Sequence, residues 1–250
     1  LFPFPTLLFG LLGARRGLIV NSSVACCVLA LLVWPELTLA QYREAEKYRF
    51  MASLVIVIMV SWLNEAGRHH NLESMDELQR QKEILANTDV LTQLPNRRFL
   101  DHTLPQHLKA QPSAYFPLAL IACDLDHFKQ INDQYGHAIG DLALQHVARI
   151  LASNLRQQDI ACRYGGEEFL LLLPHCQPEH CVRIAESLRK LIENAPFQPD
   201  PQQPPIPLTG SFGIASCASL DHLQLAIQQA DLQMYSAKQA GRNQVCALLA

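Results

Sequence analysis

The strongest constraint on the fold is a pair of strand-like segments that are separated by two glycines. The segment "DIACRY" at residues 159–164 leads into Gly165 and Gly166, and the apolar segment "EFLLLLP" follows at residues 168–174. Because Gly-Gly supplies the positive φ that a two-residue turn demands, this spacing predicts a tight antiparallel hairpin. No side chain covers such a turn, so a ligand can approach its backbone closely.

Strand and helix patterns alternate around this hairpin. Further strands are predicted at residues 117–126, 208–216 and 244–249. Helical periodicity predicts helices at residues 138–155, 178–194 and 221–240. The pattern predicts an α/β (α+β) domain over residues 89–250, with a central, mostly antiparallel sheet that is flanked by helices.

The first 63 residues are far more apolar than the rest of the chain. Residues 17–34 carry no charge, and at about 1.5 Å per residue a helix of this length crosses most of a bilayer. Residues 50–63 are shorter, are also uncharged, and contain Trp62 near their end. We therefore expect residues 1–63 to form transmembrane helices, with residues 1–13 as the tail of a further span. A signal peptide is the alternative for the opening, but no small-residue cleavage pattern follows.

The chain opens without an initiating Met, and we expect it to be a fragment whose sensory part is truncated to its last spans. Basic residues mark the cytoplasmic side of a membrane protein. Arg15 and Arg16 form an uncompensated basic turn, whereas the basic residues in 35–49 are mixed with glutamates. We therefore expect residues 35–49 to lie outside and the chain beyond residue 64 to lie in the cytoplasm.

The cysteines agree with a reducing compartment. Six of the eight are interpreted as small buried hydrophobic side chains rather than as disulfide partners: Cys26, Cys27, Cys123, Cys162, Cys217 and Cys246. One cluster, "HCQPEHC", contains His175, Cys176, His180 and Cys181. These residue types ligate zinc, but no second ligand pair follows at zinc-finger spacing. A loop that leads into a helix is the favoured interpretation of this segment.

Residues 64–88 are polar and rich in helix formers, which predicts a helical connector. Met75, Leu78 and Leu85 follow a 3-4-3 spacing if Lys82 is accepted at one seam position. That is barely two heptads, so two interpretations stay open. One is a helix that pairs with a copy of itself, and the other is a solvated linker helix.

Carboxylates gather at the ends of the predicted strands. Glu167 and Glu168 follow the bare turn, and Asp124 and Asp126 lie two apart at the end of the strand 117–126. A carboxylate pair beside such a turn can hold Mg²⁺ if another carboxylate arrives from elsewhere. Asp124 and Asp126 share a face if the strand continues through both, whereas Asp126 alternatively caps the following helix.

Four motifs occur in order over residues 89–243: "DVLTQLPNRR", "DLDHFKQINDQYGHAIGD", "RYGGEEF" and "YSAKQAGRN". Together they resemble the GGDEF family of bacterial diguanylate cyclases, in the variant whose signature reads GGEEF. The resemblance implies a cyclase that condenses two GTP into cyclic di-GMP and releases two pyrophosphates. It also implies a homodimer, since each domain binds one GTP. The region before residue 64 matches no family that we can name.

The resemblance implies a role for each matching position. Asp124, the main-chain carbonyl of Leu125, Glu167 and Glu168 are implied metal ligands, for two Mg²⁺ ions per half-site with Mn²⁺ as an alternative. Glu167 is also implied as the base that activates a ribose 3′-hydroxyl. The implied substrate-binding positions are Asn132, Asp141, His137, Leu144, Phe128, Lys238, Arg242, Gly165 and Gly166.

Two groups of these positions have a clear chemical logic. The amide of Asn132 and the carboxylate of Asp141 match the donor and acceptor edge of guanine. The cations Lys238 and Arg242 are implied to hold the triphosphate, whose transfer depends on fixed positive charge. Both cations also complement the dipole of a helix C-terminus, with Gly241 as the cap, and the two roles are compatible.

The segment "RQQD", from Arg156 to Asp159, resembles the RxxD inhibition site at which the family binds its own product; a surface ion pair is the alternative. We expect either Arg183 or Arg189 on the next helix to complete this site, and the spacing in the sequence does not distinguish between them. Gln93 departs from the family, which commonly has Gly there. Because that turn orders the domain entrance, we expect activity to be retained.

These observations predict a signalling enzyme that is anchored in the bacterial inner membrane through residues 1–63, with its catalytic domain in the cytoplasm. The net charge of −3 and the pI of about 6.4 argue against a nucleic-acid partner. A domain that only senses GTP or cyclic di-GMP is one alternative. A cyclase that makes a cyclic mononucleotide is the other, and the guanine pair and the product-site pattern disfavour it.

Overall fold

The computed structural model describes residues 4–34, 43–202 and 204–247. The chain forms two compact units, Leu1–Lys82 and Glu83–Ala250. In the first unit, helix α1 spans Phe4–Val33, and helix α2 begins at Glu44 and continues to Asn87 in the second unit. The predicted connector therefore belongs to a 44-residue helix.

The predicted membrane spans are not supported by the described part of the chain. Within residues 4–34, 43–202 and 204–247, no helix combines the length and the apolar character that crossing a membrane requires. Residues 1–3 of the predicted additional span lie outside the described residues. The interpretation of six cysteines as buried is also wrong for Cys26 and Cys27 of α1, which are exposed, and Cys246 is only half-buried.

A five-stranded sheet organises the second unit, in the order β2-β3-β1-β4-β5. Its strands are β1 Leu118–Leu125, β2 Ile160–Gly165, β3 Glu168–Pro174, β4 Gly210–Cys217 and β5 Val245–Ala247. The pairs β1–β3, β1–β4 and β2–β3 are antiparallel, and β4–β5 is parallel. The prediction of a mostly antiparallel central sheet is confirmed, and the parallel edge makes the sheet mixed.

Five helices complete the second unit: α3 Leu104–Ala110, α4 Phe128–Tyr135, α5 His137–Ser153, α6 Pro178–Asn194 and α7 Leu223–Gln239. The three predicted helices correspond to α5, α6 and α7. The sequence patterns did not identify α3 or the single π-helical turn Phe99–Thr103 before it. Both are short, and a short apolar segment shows too little periodicity to indicate its structure.

The sheet separates two apolar clusters because β1 is buried along its whole length. Ile121, Cys123 and Leu125 face the cluster that contains residues of α4, α5 and α6. Leu120 and Ala122 face the other, which contains residues of α3 and α7. Side chains alternate between the faces of a strand, so the next residue on the α7 side of β1 is Asp124.

Helix α7 lies unusually close to the sheet at Gly213 of β4. A Cβ atom at this position would overlap the Ala230 carbonyl oxygen and the Met234 amide nitrogen of α7. The backbone of the helix therefore rests directly on the strand. This close packing brings Lys238, one turn beyond Met234, to the end of β1.

Candidate active site

Two carboxylates meet where β1 ends and β3 begins. Asp124 and Glu168 are direct partners in the antiparallel register of these strands. Cross-strand partners project on the same face of a sheet, with Cβ atoms about 4.5–5.5 Å apart. Asp124 is buried, with 4% of its surface exposed. Glu168 is half-buried, so the two carboxylates are held together at the edge of the core.

Lys238 supplies the neutralising charge. Its Nζ lies 2.7 Å from Oδ2 of Asp124, and the lysine side chain is only partly exposed. Lys238 lies in the last turn of α7, where the partial negative charge of the helix C-terminus also favours a cation. The predicted phosphate-binding lysine is therefore in contact with the predicted metal-binding aspartate.

Burial dominates the protonation of this carboxylate pair. It raises the pKa of Asp124 to about 6, against the opposing effect of Lys238, while the charges of Glu167 and Glu168 add to the rise. The pKa of Glu168 is also raised, first by burial and then by the charge of Asp231 on α7. Both carboxylates would be stabilised in their ionised forms by an additional cation.

The hairpin turn differs in detail from the prediction. Strand β2 includes Gly165, with a register shift between Arg163 and Gly165, so the two turn residues are Gly166 and Glu167. Only Gly166 has the positive φ, at 46°. Because Glu167 lies in the turn, it does not follow the strand alternation that would send it and Glu168 to opposite faces. Its carbonyl accepts a hydrogen bond of 3.3 Å from the Leu125 amide, which places Glu167 beside the end of β1.

Arg163 fastens this turn to the entrance of the domain. Its Nε and Nη2 donate to the Gly166 carbonyl at 3.0 and 2.8 Å, and its Nη1 donates to both Asp89 oxygens at 3.0 and 3.2 Å. Asp89 in turn accepts from the amide and the hydroxyl of Thr92 at 2.8 and 2.7 Å. The segment that follows α2 is therefore tied directly to the signature hairpin.

Gln93 belongs to this entrance loop and has a φ of 61°. This left-handed conformation costs a residue with a Cβ atom more than it costs glycine. The left-handed backbone explains why the family commonly has glycine at this position. In this chain the Gln93 amide donates to the Val90 carbonyl at 2.7 Å and compensates part of that cost.

Asp126 fulfils neither of the two expectations from the sequence. Strand β1 ends at Leu125, and the residue before α4 is His127, which makes no capping hydrogen bond. The Asp126 carboxylate accepts hydrogen bonds from the Thr209 hydroxyl (2.9 Å), the Ser211 hydroxyl (2.7 Å) and the Asn243 amide (3.0 Å). It ties the end of β1 to β4 and to the turn after α7.

A cleft of about 260 Å³ opens beside these carboxylates. It brings together six predicted site residues: Asp124, Leu125, Phe128, Glu167, Lys238 and Arg242. It also includes five that the sequence did not single out for substrate: Asp126, His127, Lys129, Gln130 and Asp133. The cleft is slightly smaller than the about 300–1,000 Å³ that is usual for sites of drug-sized ligands. The remaining predicted positions, Gly165, Gly166 and Glu168 among them, do not line it.

The predicted guanine-reading residues lie on the adjacent pair α4 and α5. Asn132 is in α4 and half-buried, whereas Asp141 of α5 is exposed. A Cβ atom at Gly140 would overlap the Asn132 side-chain oxygen, so this glycine gives the amide its space. His137 is exposed at the start of α5. Phe128 and Leu144 are core residues, with 6% and 2% of their surfaces exposed.

Within residues 4–34, 43–202 and 204–247, no group of three or more His, Cys, Asp and Glu side chains has an arrangement that could hold a metal ion. The predicted ligands therefore do not form a complete set of side chains by themselves. Their donor chemistry nevertheless fits Mg²⁺, which takes oxygen ligands and is usually bound by one or two carboxylates plus substrate phosphates. Asp124 and Glu168 are such a pair.

The "HCQPEHC" segment is a loop that leads into α6, as the favoured interpretation had it. Cys176 and Cys181 are free and buried. Burial raises the pKa of both thiols. Among the described residues, this segment contributes to no group of three or more His, Cys, Asp and Glu side chains that could hold a metal ion.

The RQQD segment forms its own turn, in which the Asp159 carboxylate accepts from the Arg156 amide at 2.9 Å. The Arg156 guanidinium lies 3.2 Å from Nε2 of His180, and the Arg183 guanidinium lies 3.2 Å from Nδ1 of the same ring. Arg189, in contrast, is buried and engaged with Glu186 and Glu193. Of the two arginines that we considered, the structure brings Arg183 to the RQQD segment.

A family model for the diguanylate cyclase GGDEF domain matches residues 86–244. The domain has an α/β fold with a mixed central sheet that is flanked by helices, and the chain belongs to the GGDEF domain family. The response regulator PleD of Caulobacter vibrioides is 39% identical over 162 residues, which are 64% of this chain and 36% of PleD.

Solved structures agree with this assignment. The coiled coil and GGDEF domain of DgcB from Caulobacter crescentus, in complex with c-di-GMP, has a TM-score of 0.65 and 27% identity, covering 73% of this chain and 96% of that chain. The active GGEEF domain of a diguanylate cyclase from Vibrio cholerae has a TM-score of 0.56 and 31% identity, covering 63% and 99% respectively. The chain spans between 25% and 53% of the length of five further curated relatives.

Proposed function

We propose that this protein is a diguanylate cyclase that condenses two GTP into cyclic di-GMP and two pyrophosphates. The observation that carries the proposal is the cross-strand pair of Asp124 and Glu168 beside the turn residue Glu167, with Lys238 in contact with Asp124. Acidic and basic side chains of this kind are what phosphoryl transfer between nucleotides requires. The family membership of residues 86–244 supports the same reaction.

In the reaction that we propose, the 3′-oxygen of each GTP attacks the α-phosphorus of the other. Two phosphodiester bonds form, and two bonds to pyrophosphate break. Glu167, in the turn beside the end of β1, takes the proton of the 3′-hydroxyl. Lys238 and Arg242 line the cleft and attract the triphosphate. Their fixed positive charges stabilise the negative charge that spreads over the transferred group.

Asp124, Glu168, Glu167 and the Leu125 carbonyl are the groups that we propose to hold Mg²⁺. When bound there, Mg²⁺ supplies positive charge against the phosphates and orients them. The raised pKa values of Asp124 and Glu168 support this assignment, because such carboxylates gain from a nearby cation. Asn132 and Asp141 are proposed to select guanine, with Phe128, His137 and Leu144 around them.

We also propose that catalysis needs two copies of the chain, since one domain holds one GTP. The connector helix supports this proposal. Met75, Leu78 and Leu85 of α2 are exposed, with 65%, 46% and 76% of their surfaces accessible. With Lys82 accepted at the fourth position, these exposed apolar side chains follow a 3-4-3 spacing that is suited to a pair of helices.

Product inhibition through Arg156 and Asp159 is a further part of the proposal. Arg156 and Arg183 both approach His180 on the protein surface. Arg156 lies in the turn before β2 and Arg183 lies on α6, so basic side chains from two elements converge there. Guanidinium groups of this kind bind phosphates through charge-assisted hydrogen bonds.

Attachment of residues 1–63 to the bacterial inner membrane, with the catalytic domain in the cytoplasm, stays a proposal from the sequence. Its support is the uncharged character of residues 17–34 and 50–63. Fractionation of cells that express the chain tests it. Recovery in the membrane fraction after a high-salt wash is expected, and recovery in the soluble fraction would contradict it.

The activity is tested by incubating the full chain with GTP and Mg²⁺ and separating the nucleotides by chromatography. Cyclic di-GMP and pyrophosphate in a ratio of one to two are expected. A cyclic mononucleotide would instead support the alternative cyclase, and unchanged GTP with measurable nucleotide binding would support a receptor domain. A replacement of the connector by a dimerising helix separates a missing activity from a missing dimer.

A further inference from the structure

Arg242 lines the cleft without a side-chain partner of its own. Among the residues that the structure describes, its guanidinium makes no hydrogen bond and no ion pair, and the residue is exposed. The direction of its side chain therefore depends on how its backbone is held. That backbone lies in the turn after α7, where three consecutive residues, Gly241, Arg242 and Asn243, have φ values of 117°, 64° and 45°.

Two of these three residues carry a Cβ atom in a left-handed conformation, which is unfavourable for L-residues. Such a conformation persists only where surrounding contacts hold it. One contact is local, since the Arg242 amide donates to the Ala237 carbonyl at 3.0 Å. The other contacts come through Asn243.

Asn243 is held from two sides. Its backbone amide donates to the buried carboxylate of Asp126 at 3.0 Å. Its side-chain oxygen accepts from Nη1 of Arg189 at 2.7 Å, and its side-chain nitrogen donates to Glu193 at 2.8 Å. Both the donor and the acceptor of this amide are therefore satisfied by α6, while its backbone is tied to the end of β1.

Arg189 is itself immobilised. Its guanidinium donates to Glu186 at 2.9 and 2.7 Å and to Glu193 at 2.8 Å, and only 9% of the residue is exposed. A planar guanidinium with five donors holds several acceptors in a fixed geometry, which a flexible ammonium cannot do. Helix α6 thus presents a rigid docking point for Asn243, although α6 contributes no residue to the cleft.

We propose that Asn243 and Arg189 are positioning residues, which direct Arg242 toward the phosphates of the nucleotide. This inference rests on the proposed function, because it assigns Arg242 to a triphosphate. The contrasting role is a purely structural one, in which the network only stabilises the domain. The two roles differ in whether the effect of Asn243 passes through Arg242.

A double-mutant cycle separates them. Asn243→Gly removes the amide and keeps the left-handed turn accessible, so that it is the preferred substitution. The full chain, Asn243→Gly, Arg242→Ala and the double variant are compared for the KM for GTP, for kcat and for melting temperature. We expect Asn243→Gly to raise the KM by about tenfold with a smaller change in kcat. In the Arg242→Ala background the same substitution changes the KM by less than about twofold.

Matched variants complete the design. Asn194→Ala alters an exposed amide at the end of α6 that bonds only the Lys190 carbonyl at 2.8 Å, and it is expected to leave the KM unchanged. If Asn243→Gly does not fold, Arg189→Lys takes its place, since it keeps the charge and loses the bidentate contact. It is expected to raise the KM in the chain that carries Arg242 and not in the chain with Arg242→Ala.

Equal KM effects with and without Arg242, or a lower melting temperature with an unchanged KM, would overturn the inference. If the wild-type chain makes no cyclic di-GMP, the same cycle is measured on the dissociation constant for GTP. In that case the proposed activity fails. The positioning of Arg242 is still tested, because it requires that the effects of Asn243→Gly and Arg242→Ala on the dissociation constant are coupled.

Discussion

Nζ of Lys238 lies 2.7 Å from Oδ2 of Asp124, so that a helix end and a strand end meet at one ion pair. Even with this partner, burial raises the pKa of Asp124 to about 6. The ionised carboxylate therefore costs the folded state free energy. A carboxylate that is retained in spite of such a cost is a candidate for function rather than for stability.

Asp124→Asn is expected to abolish nucleotide turnover while the melting temperature at pH 7 stays equal or rises. The ordinary pKa of this carboxyl is 3.8 and the folded value is about 6, so the native state binds more protons between these values. Asp124 therefore makes stability fall as pH rises from about 3.8 to 6. Melting curves across this range test the prediction. A lower melting temperature for Asp124→Asn at pH 7 would show that the ion pair is a net stabiliser.

Asp89 has the opposite pH dependence. Burial acts to raise its pKa, but hydrogen bonds from Thr92 and Arg163 outweigh burial and lower the pKa below 3.8. The contribution of Asp89 to stability is therefore complete when the pH is above its pKa in the unfolded chain. It is lost as the pH falls through the lower pKa of the folded protein.

Arg163→Met should separate the entrance loop from the signature turn. Four hydrogen bonds are lost, to Gly166 and to Asp89, and we expect a loss of about 1–3 kcal/mol in the free energy of unfolding. We also expect a fall in turnover that the loss of folded protein does not explain, because Glu167 directly follows Gly166 in the turn. Denaturant unfolding and initial rates are measured beside Arg149→Ala, an exposed arginine on α5. Unchanged turnover in folded Arg163→Met would show that the turn does not depend on this link.

Gly140→Ala tests the position of Asn132. Alanine favours a helix over glycine by about 1 kcal/mol, so a simple helix effect would stabilise the domain. In this structure the added Cβ atom would also overlap the Asn132 side-chain oxygen, so the Asn132 side chain must move from its position. We expect a higher KM for GTP and a weaker preference for GTP over ATP. Ala152→Ser, at an exposed position of α5, is the control. An unchanged KM would remove Asn132 from the guanine site.

Arg156→Ala should relieve inhibition by cyclic di-GMP, and Arg183→Ala should do the same, because both arginines approach His180. Initial rates at increasing concentrations of cyclic di-GMP measure the effect. Arg149→Ala again serves as a control. Inhibition that is unchanged in Arg156→Ala would reduce the RQQD segment to a surface turn.

The local elements of this fold could be predicted from the sequence because their signals are local. Strand β3 and helix α6 have the predicted bounds, since an apolar run and a 3.6-residue period are properties of adjacent residues. The signature turn was located, but its register shift at Gly165 depends on the pairing of β2 with β3.

The contacts that shape the site are long-range, and no pattern of neighbours indicates them. Asp126 is bonded by Thr209, Ser211 and Asn243, which follow it by 83, 85 and 117 residues. The sequence around Asp126 therefore indicated only a shared face with Asp124 or a helix cap, and neither is observed. Gly140 similarly shows its role only once α4 and α5 are packed together.

The most direct measurement compares the full chain with Glu167→Gln in the same reaction with GTP and Mg²⁺. Glu167 lies half-buried in the turn and its side chain is not part of the core, so the variant should keep the wild-type melting temperature. We expect cyclic di-GMP from the wild-type chain and none from Glu167→Gln. Cyclic di-GMP from both would contradict the role of Glu167 as base and metal ligand, and its absence from both would contradict the proposed activity.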